Sequence, residues 1–242
     1  MTIPRVRVLE LMDDPDLPRS DHLRALNGLK RLNAISGVAT QLFSHLLTFA
    51  CKDPGRPLRV LDVASGGGDL PIRWALMAKR RSVAMEFTCV DISPIAVEQQ
   101  QENAAKHGVA LHGMRRDCLK QGLPEGYDVA TCSLFMHHLD EAQAARLLQS
   151  MQMAANGLLI CDLDRSRCNL AAVWAASRVL TRSHVVHHDA TASVRAAFTR
   201  AEFTELANRA LARPVRCHRL LPARFVMRVD EVAVEELSPA FA

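Results

Sequence analysis

The sequence predicts an α/β fold: a seven-stranded, mostly parallel sheet with helices on both faces, finished by an antiparallel C-terminal hairpin and preceded by a helical extension. Three observations predict it. From residue 57 onward, short apolar runs alternate with helical patterns, and strands joined through helices pair in parallel by right-handed crossovers. The last two apolar runs, 215–221 and 224–229, are separated only by Pro222-Ala223, which is too short for a crossover and makes them a hairpin. Finally, 242 residues, 49% of them hydrophobic, are enough for one α/β domain with a full core plus a short appendage, so no second independent domain is expected.

The extension occupies residues 1–56 and the domain residues 57–242. Within 20–50, apolar residues recur at mixed three- and four-residue spacing: Leu23, Leu26, Leu32 and Ile35, then Val38, Leu42, Leu46 and Phe49. Ser20 or Asp21 is a candidate N-cap, and Ser36-Gly37 a break between two helices. Such a pair could fold over a ligand cleft or simply cover the sheet. Asp53-Pro54-Gly55-Arg56-Pro57 is a loop. Strands are then expected near 58–63, 85–90, 110–114, 127–133 and 157–162, with helices near 69–80, 94–107, 140–153, 168–181 and 200–211.

The chemistry concentrates in Val60-Leu61-Asp62-Val63-Ala64-Ser65-Gly66-Gly67-Gly68-Asp69-Leu70-Pro71, followed one βα unit later by Phe87-Thr88-Cys89-Val90-Asp91. An apolar strand that ends in a glycine loop and opens onto a helix, with an acid closing the next strand, is a nucleoside-binding βαβ unit. The glycines let a ligand approach the backbone, and Asp91 can accept hydrogen bonds from both ribose hydroxyls. A dinucleotide fingerprint would need a third glycine at position 71, where Pro71 adds bulk and removes an amide. That disfavours a dinucleotide.

The frame Asp62-x-Ala64-x-Gly66-x-Gly68 resembles the first motif of class I S-adenosylmethionine-dependent methyltransferases, whose fold is Rossmann-like, with Ala64 in place of the first glycine. The resemblance covers about residues 57–230. It implies S-adenosylmethionine as cofactor and S-adenosylhomocysteine as product. By position it places Asp62 near the cofactor's amino group, Gly66 and Gly68 against the cofactor, and Asp91 on the ribose with Ile92 along the adenine. It also implies that Asp117 accepts from the adenine amino group, with Cys118 donating its backbone amide, and that Ser133 walls the transferred methyl. Taken alone, Asp117 could equally cap a turn.

After the fourth strand the chain reads Thr131-Cys132-Ser133-Leu134-Phe135-Met136-His137-His138-Leu139. The Asn-Pro-Pro-Tyr type motif of enzymes that methylate amino groups of bases is absent, and Cys132, inside a strand, reads as a core residue rather than a nucleophile. The segment is similar to that of small-molecule O- and C-methyltransferases, including the ubiquinone and menaquinone type. A phenolic acceptor must lose a proton, and an imidazole suits that task near neutral pH, so His137 and His138 are the candidate catalytic residues. The region after strand five usually lines the acceptor pocket in this fold. His184, His187, His188, Arg195 and Trp174 are therefore candidate acceptor contacts, with Ser193 to Phe198 resembling a stretch of the quinone enzymes. His184, His188 and Asp189 have metal-ligand spacing, but Val185-Val186 favours extended structure that would separate them; no metal is expected.

Composition narrows the function further. Between Asp164 and Arg228 there are twelve arginines, no lysine and four acids. These arginines are interleaved with apolar residues, as on a solvated helix face, and one tyrosine and two tryptophans offer few stacking faces, so nucleic acid is not the expected partner. Trp74 and Trp174 read as core or pocket wall. Seven cysteines without a C-x-x-C pair read mostly as small buried hydrophobes in a reducing compartment. With no apolar leader and no run long enough to span a membrane, a cytoplasmic location is expected. The reading is methyl transfer to the oxygen, or carbon, of a small apolar phenol, quinol or polyketide-like acceptor. The competing readings are an RNA or protein methyltransferase and a non-catalytic cofactor-binding protein. Oligomeric state is left open.

Overall fold

The computed structural model describes residues 3–13, 16–21, 24, 25, 28 and 37–230. Seven strands form one sheet in the order β3-β2-β1-β4-β5-β7-β6: β1 Leu58–Val63, β2 Met85–Asp91, β3 His112–Arg115, β4 Tyr127–Ser133, β5 Ala155–Leu163, β6 Cys217–Leu220 and β7 Arg224–Val229. The first five are parallel, and β7 runs antiparallel between β5 and β6. The helices are α1 Val38–Ala50, α2 Asp69–Arg80, α3 Pro94–His107, α4 Glu141–Ala154, α5 Arg167–Leu180, α6 His184–Ala196 and α7 Arg200–Leu211.

Neighbouring strand residues point to opposite faces, and both faces are packed, as a parallel sheet requires. On one face Leu61, Val63, Ala130, Leu158 and Ile160 meet Leu147, Leu148 and Met151 of α4 and Phe203 and Leu206 of α7. On the other, Val60, Phe87, Val129 and Leu159 meet Val38, Leu42, Phe43, Leu46 and Phe49 of α1 and Trp74 and Ala78 of α2. The Trp74 indole N–H, fully buried, donates to the Ala39 carbonyl at 3.0 Å and so ties α2 to α1. Of the two expected roles for the N-terminal helices, α1 takes that of covering a sheet face. Leu23, Leu26, Leu32, Ile35 and Ser36 lie outside the described residues. Residues 19–21 are helical, so Ser20 and Asp21 lie inside that turn rather than capping it.

Helix ends follow their caps. Ser93 caps α3, with Pro94 at its first position and left-handed Gly108 at its end. Capping boxes Asp140–Gln143 and Thr199–Glu202 start α4 and α7. One expectation is corrected: residues 184–196, with Val185-Val186 expected to be extended, form α6. Ser183 accepts from the Val186 amide, and both valines are completely buried beside Ala25. Tertiary burial outweighs the weak β-preference of valine.

The chain winds outward through β1, β2 and β3, then returns to place β4 on the other side of β1. In open α/β sheets ligands bind at such a reversal, beyond the carboxyl ends of the strands. Asp62 and Asp91 sit at those ends.

Candidate active site

Left-handed backbone explains the glycine loop. Ala64, Gly66 and Gly68 have φ of 55°, 53° and 76°, so the alternate small residues of the motif mark alternate left-handed positions. A side chain there is strained by about 1–2 kcal/mol, and Ala64 carries that strain. A Cβ built on Gly66 would meet no heavy atom within 4 Å, so this backbone faces an open cradle. The Gly66 amide donates to Asp91 Oδ2 at 2.8 Å and the Ser93 amide to Oδ1 at 2.9 Å. Asp91 thus clamps the loop to the end of β2 while its further lone pairs remain available to hydroxyls.

Beneath the loop, buried Asp62 accepts from Ser65 Oγ at 2.6 Å and from Thr131 Oγ1 at 2.5 Å. Burial pushes its carboxyl up to about 6, against these two hydroxyls and with help from the Asp91 charge. A cationic group placed beside it would restore the ionised form. At the end of β4 the Ser133 hydroxyl is buried without a hydrogen-bond partner; it borders a small cavity with Leu70, Arg73 and Leu134. An open cradle and an orphaned hydroxyl fit a ligand lying from β2 across β1 to β4. Ile92 is exposed beside Asp91. Asp117 Oδ1 accepts from the amides of Leu119 and Lys120, the turn-capping role left open above. Cys118 packs partly buried against the core, and burial pushes its thiol up to about 11.

A second constellation stands beyond β4 and β5. His137, in the 3-10 turn Met136–His138, is 3% exposed. Its backbone N–H donates to Asp162 Oδ2 at 3.0 Å and its Nδ1 to Asp162 Oδ1 at 2.7 Å, so the Asp162 carboxylate fixes the ring. Its Nε2 faces Glu10 Oε1 at 3.8 Å, beyond direct hydrogen bonding. Burial pushes the imidazole down, but Asp162 and Glu10 outweigh it and raise it to about 9. This favours the protonated ring and suits His137 less than His138 to removing a proton. His138 is more open, its ring 4.3 Å from that of His137.

Glu10 arrives on an N-terminal strap laid over this end of the sheet. Arg5 donates to the carbonyls of Leu139 and Ala196, both at 2.7 Å, and Arg7 to that of His138 at 3.0 Å. Buried Asp189 of α6 accepts from the Leu11 and Met12 amides at 2.7 and 3.0 Å, and Ser193 of α6 donates to Glu10. Sequence reasoning missed Glu10 and Asp162, and it named Ser193 only as the start of the stretch Ser193 to Phe198. Asp162 carried a signal, since it closes the apolar run of β5 as Asp62 and Asp91 close theirs. Glu10 lies 127 residues before His137 and carried none.

The other candidates are not gathered here. His187 Nε2 pairs with the Thr181 carbonyl and His188 Nδ1 with Asp189, while His184 and Arg195 are exposed. Trp174 is 52% exposed on α5 beneath the Arg178 guanidinium, so it is not core; buried Trp74 is. Cys89, Cys132 and Cys161 are buried as expected, whereas Cys51 and Cys168 are exposed.

Residues 60–156 match a methyltransferase-domain family. The ribosomal protein L11 methyltransferase of Caldicellulosiruptor bescii is 31% identical over 105 residues, 40% of this chain and 32% of that protein; the chain thus spans about a third of this curated relative. Two solved structures share the fold. The plantazolicin methyltransferase BpumL, bound to a triazolic desmethyl-plantazolicin analogue and S-adenosylhomocysteine, aligns with a TM-score of 0.62 at 17% identity, covering 80% of this chain and 70% of its own. A candidate O-methyltransferase of Nostoc punctiforme aligns with a TM-score of 0.62 at 18% identity, covering 93% and 64%. Among the described residues no helix is long and apolar enough to cross a membrane. Residues 60–156 are thus similar to a methyltransferase domain, and the chain has the class I S-adenosylmethionine-dependent methyltransferase fold.

Proposed function

We propose that this chain is a cytoplasmic enzyme that transfers a methyl group from S-adenosylmethionine to an oxygen of a small apolar acceptor such as a phenol, quinol or polyketide-like compound. One observation carries the reading: the two residues Leu134-Phe135 separate orphaned Ser133, at the edge of the glycine-loop cleft, from the turn that presents His137 and His138 beside Glu10. A cofactor site and a polar cluster able to hold an acceptor oxygen thus share the carboxyl end of β4.

When bound, the cofactor supplies a methyl on a positively charged sulfur. Asp91 accepts the ribose hydroxyls, Asp62 balances the ammonium, the backbone at Gly66 and Gly68 permits close approach, and Ile92 covers the adenine. Asp117 and Cys118 flank the adenine from the turn after β3. Ser133 borders the reacting end. On the acceptor side Glu10 and His137 hold the oxygen, and His138, the member open to solvent, draws off its proton. Catalysis by this arrangement is chiefly positioning, because in-line displacement needs the acceptor held near the methyl.

A second reading, protein methylation, is favoured by the match to the ribosomal protein L11 enzyme. The test is incubation with methyl-labelled S-adenosylmethionine and, separately, phenols, quinols and ribosomal protein. Label in a phenol or quinol, lost in Asp91→Ala, supports the proposal; label in protein alone overturns it.

A further inference from the structure

The Glu10–His137–His138 cluster beyond β4 and β5 has the chemistry of a metal centre. The ligand atoms of Glu10, His137 and His138 all lie within 4.8 Å of one another. Two imidazoles and one carboxylate form a three-ligand set that leaves a fourth, open position, as in catalytic zinc sites. Two ligand atoms on one tetrahedral zinc stand about 3.4 Å apart, given bond lengths of about 2.0–2.1 Å. His137 Nε2 and Glu10 Oε1, at 3.8 Å, need to move only a few tenths of an ångström.

The surroundings are also built for it. A metal-bound histidine nearly always donates its other ring nitrogen to a carboxylate, which fixes the ring and its tautomer. Asp162, buried at the end of β5, does this to His137 Nδ1 at 2.7 Å and is itself held by the Leu163 amide at 2.7 Å. Ser193 holds Glu10 from α6.

We propose that Glu10, His137 and His138 bind one divalent cation of the zinc class, with Asp162 and Ser193 as the outer supports that orient the ligands. Imidazole nitrogens suit zinc, cobalt, nickel and iron rather than magnesium, which demands oxygen ligands. Any catalytic use of the cation rests on the methyltransferase reading: it would lower the pKa of a coordinated acceptor hydroxyl so that the proton leaves to water, in place of removal by a His138 that is now a ligand. The binding itself does not rest on that reading.

The test uses the full chain, stripped of metal with a chelator and titrated with zinc by calorimetry and with cobalt by visible absorption. The expected result is one equivalent of zinc, visible bands of low-coordinate cobalt, and no heat with magnesium. Zinc should bind at least about tenfold more weakly to His138→Ala and to Glu10→Gln. The exposed thiols of Cys51 and Cys168 are the rival ligands, so the double variant Cys51→Ser/Cys168→Ser should bind zinc like the parent. No stoichiometric binding, undiminished binding in His138→Ala, or loss in the cysteine variant would overturn the proposal. Titrating the same samples with S-adenosylhomocysteine separates the two claims: a chain that takes zinc but not this nucleoside keeps its metal site and loses the methyltransferase reading.

Discussion

Gly66→Ala separates the ligand role of the glycine loop from its folding role. Gly66 has φ of 53°, where a Cβ costs about 1–2 kcal/mol, partly offset by about 0.4–1 kcal/mol from the stiffer unfolded chain. No heavy atom lies within 4 Å of the added carbon, so no clash adds to this. The net loss is about 1 kcal/mol, or a melting temperature lower by about 2–4 °C for a chain of this size. A ligand pressed against this backbone meets the methyl directly. Overpacking of about 1–3 kcal/mol weakens S-adenosylhomocysteine about 5- to 150-fold. Ala64→Gly is the mirror experiment: φ of 55° is relieved, and after the entropic cost of glycine the gain is about 0.5–1 kcal/mol with no loss of affinity. Thermal melts and calorimetry on both variants read the two effects. If Gly66→Ala lost the expected stability yet bound the nucleoside like the parent, the cradle would not be the cofactor site.

Asp62 makes binding depend on pH. Its carboxyl is pushed up to about 6 by burial, and a bound ammonium favours the ionised form. Affinity for S-adenosylhomocysteine therefore falls as pH drops below about 6, approaching tenfold per unit, and levels off above about 7; affinity constant from pH 5 to 8 in a folded chain contradicts this. Asp91→Ala loses both the loop clamp and the ribose acceptor, and affinity drops by about 1.5–3 kcal/mol in calorimetry, the scale of hydrogen bonds to a charged group; unchanged affinity removes the ribose assignment. Asp189→Ala frees the strap, whose Leu11 and Met12 amides it anchors. Limited proteolysis should then cut within residues 3–12 faster than in the parent while cofactor affinity holds, and equal cleavage rates show that other contacts carry the strap.

The parts of the fold legible in the sequence were those governed by local chemistry. The start of α2 followed from the glycine loop that opens onto it, and the hairpin from the short Pro222-Ala223 spacer. The motif glycines were legible because a left-handed backbone leaves a trace in residue type, and the motif acids because each closes an apolar strand. Helix α6 was not, since two adjacent valines argue for a strand until one knows that both are buried under the N-terminal segment. The acceptor side was the least legible. His137 stood out, but its meaning depends on Asp162 from the next strand and on Glu10 from the far end of the chain, and no local spacing encodes such a meeting. The histidines at 184, 187 and 188 stood out equally, and the structure pairs His187 with the Thr181 carbonyl and His188 with Asp189.

The most direct test of the central claim is calorimetric titration of the purified chain with S-adenosylhomocysteine, with NAD as the control. The account predicts micromolar, one-to-one binding of the first and none of the second. Binding of NAD instead, or of neither, would contradict it.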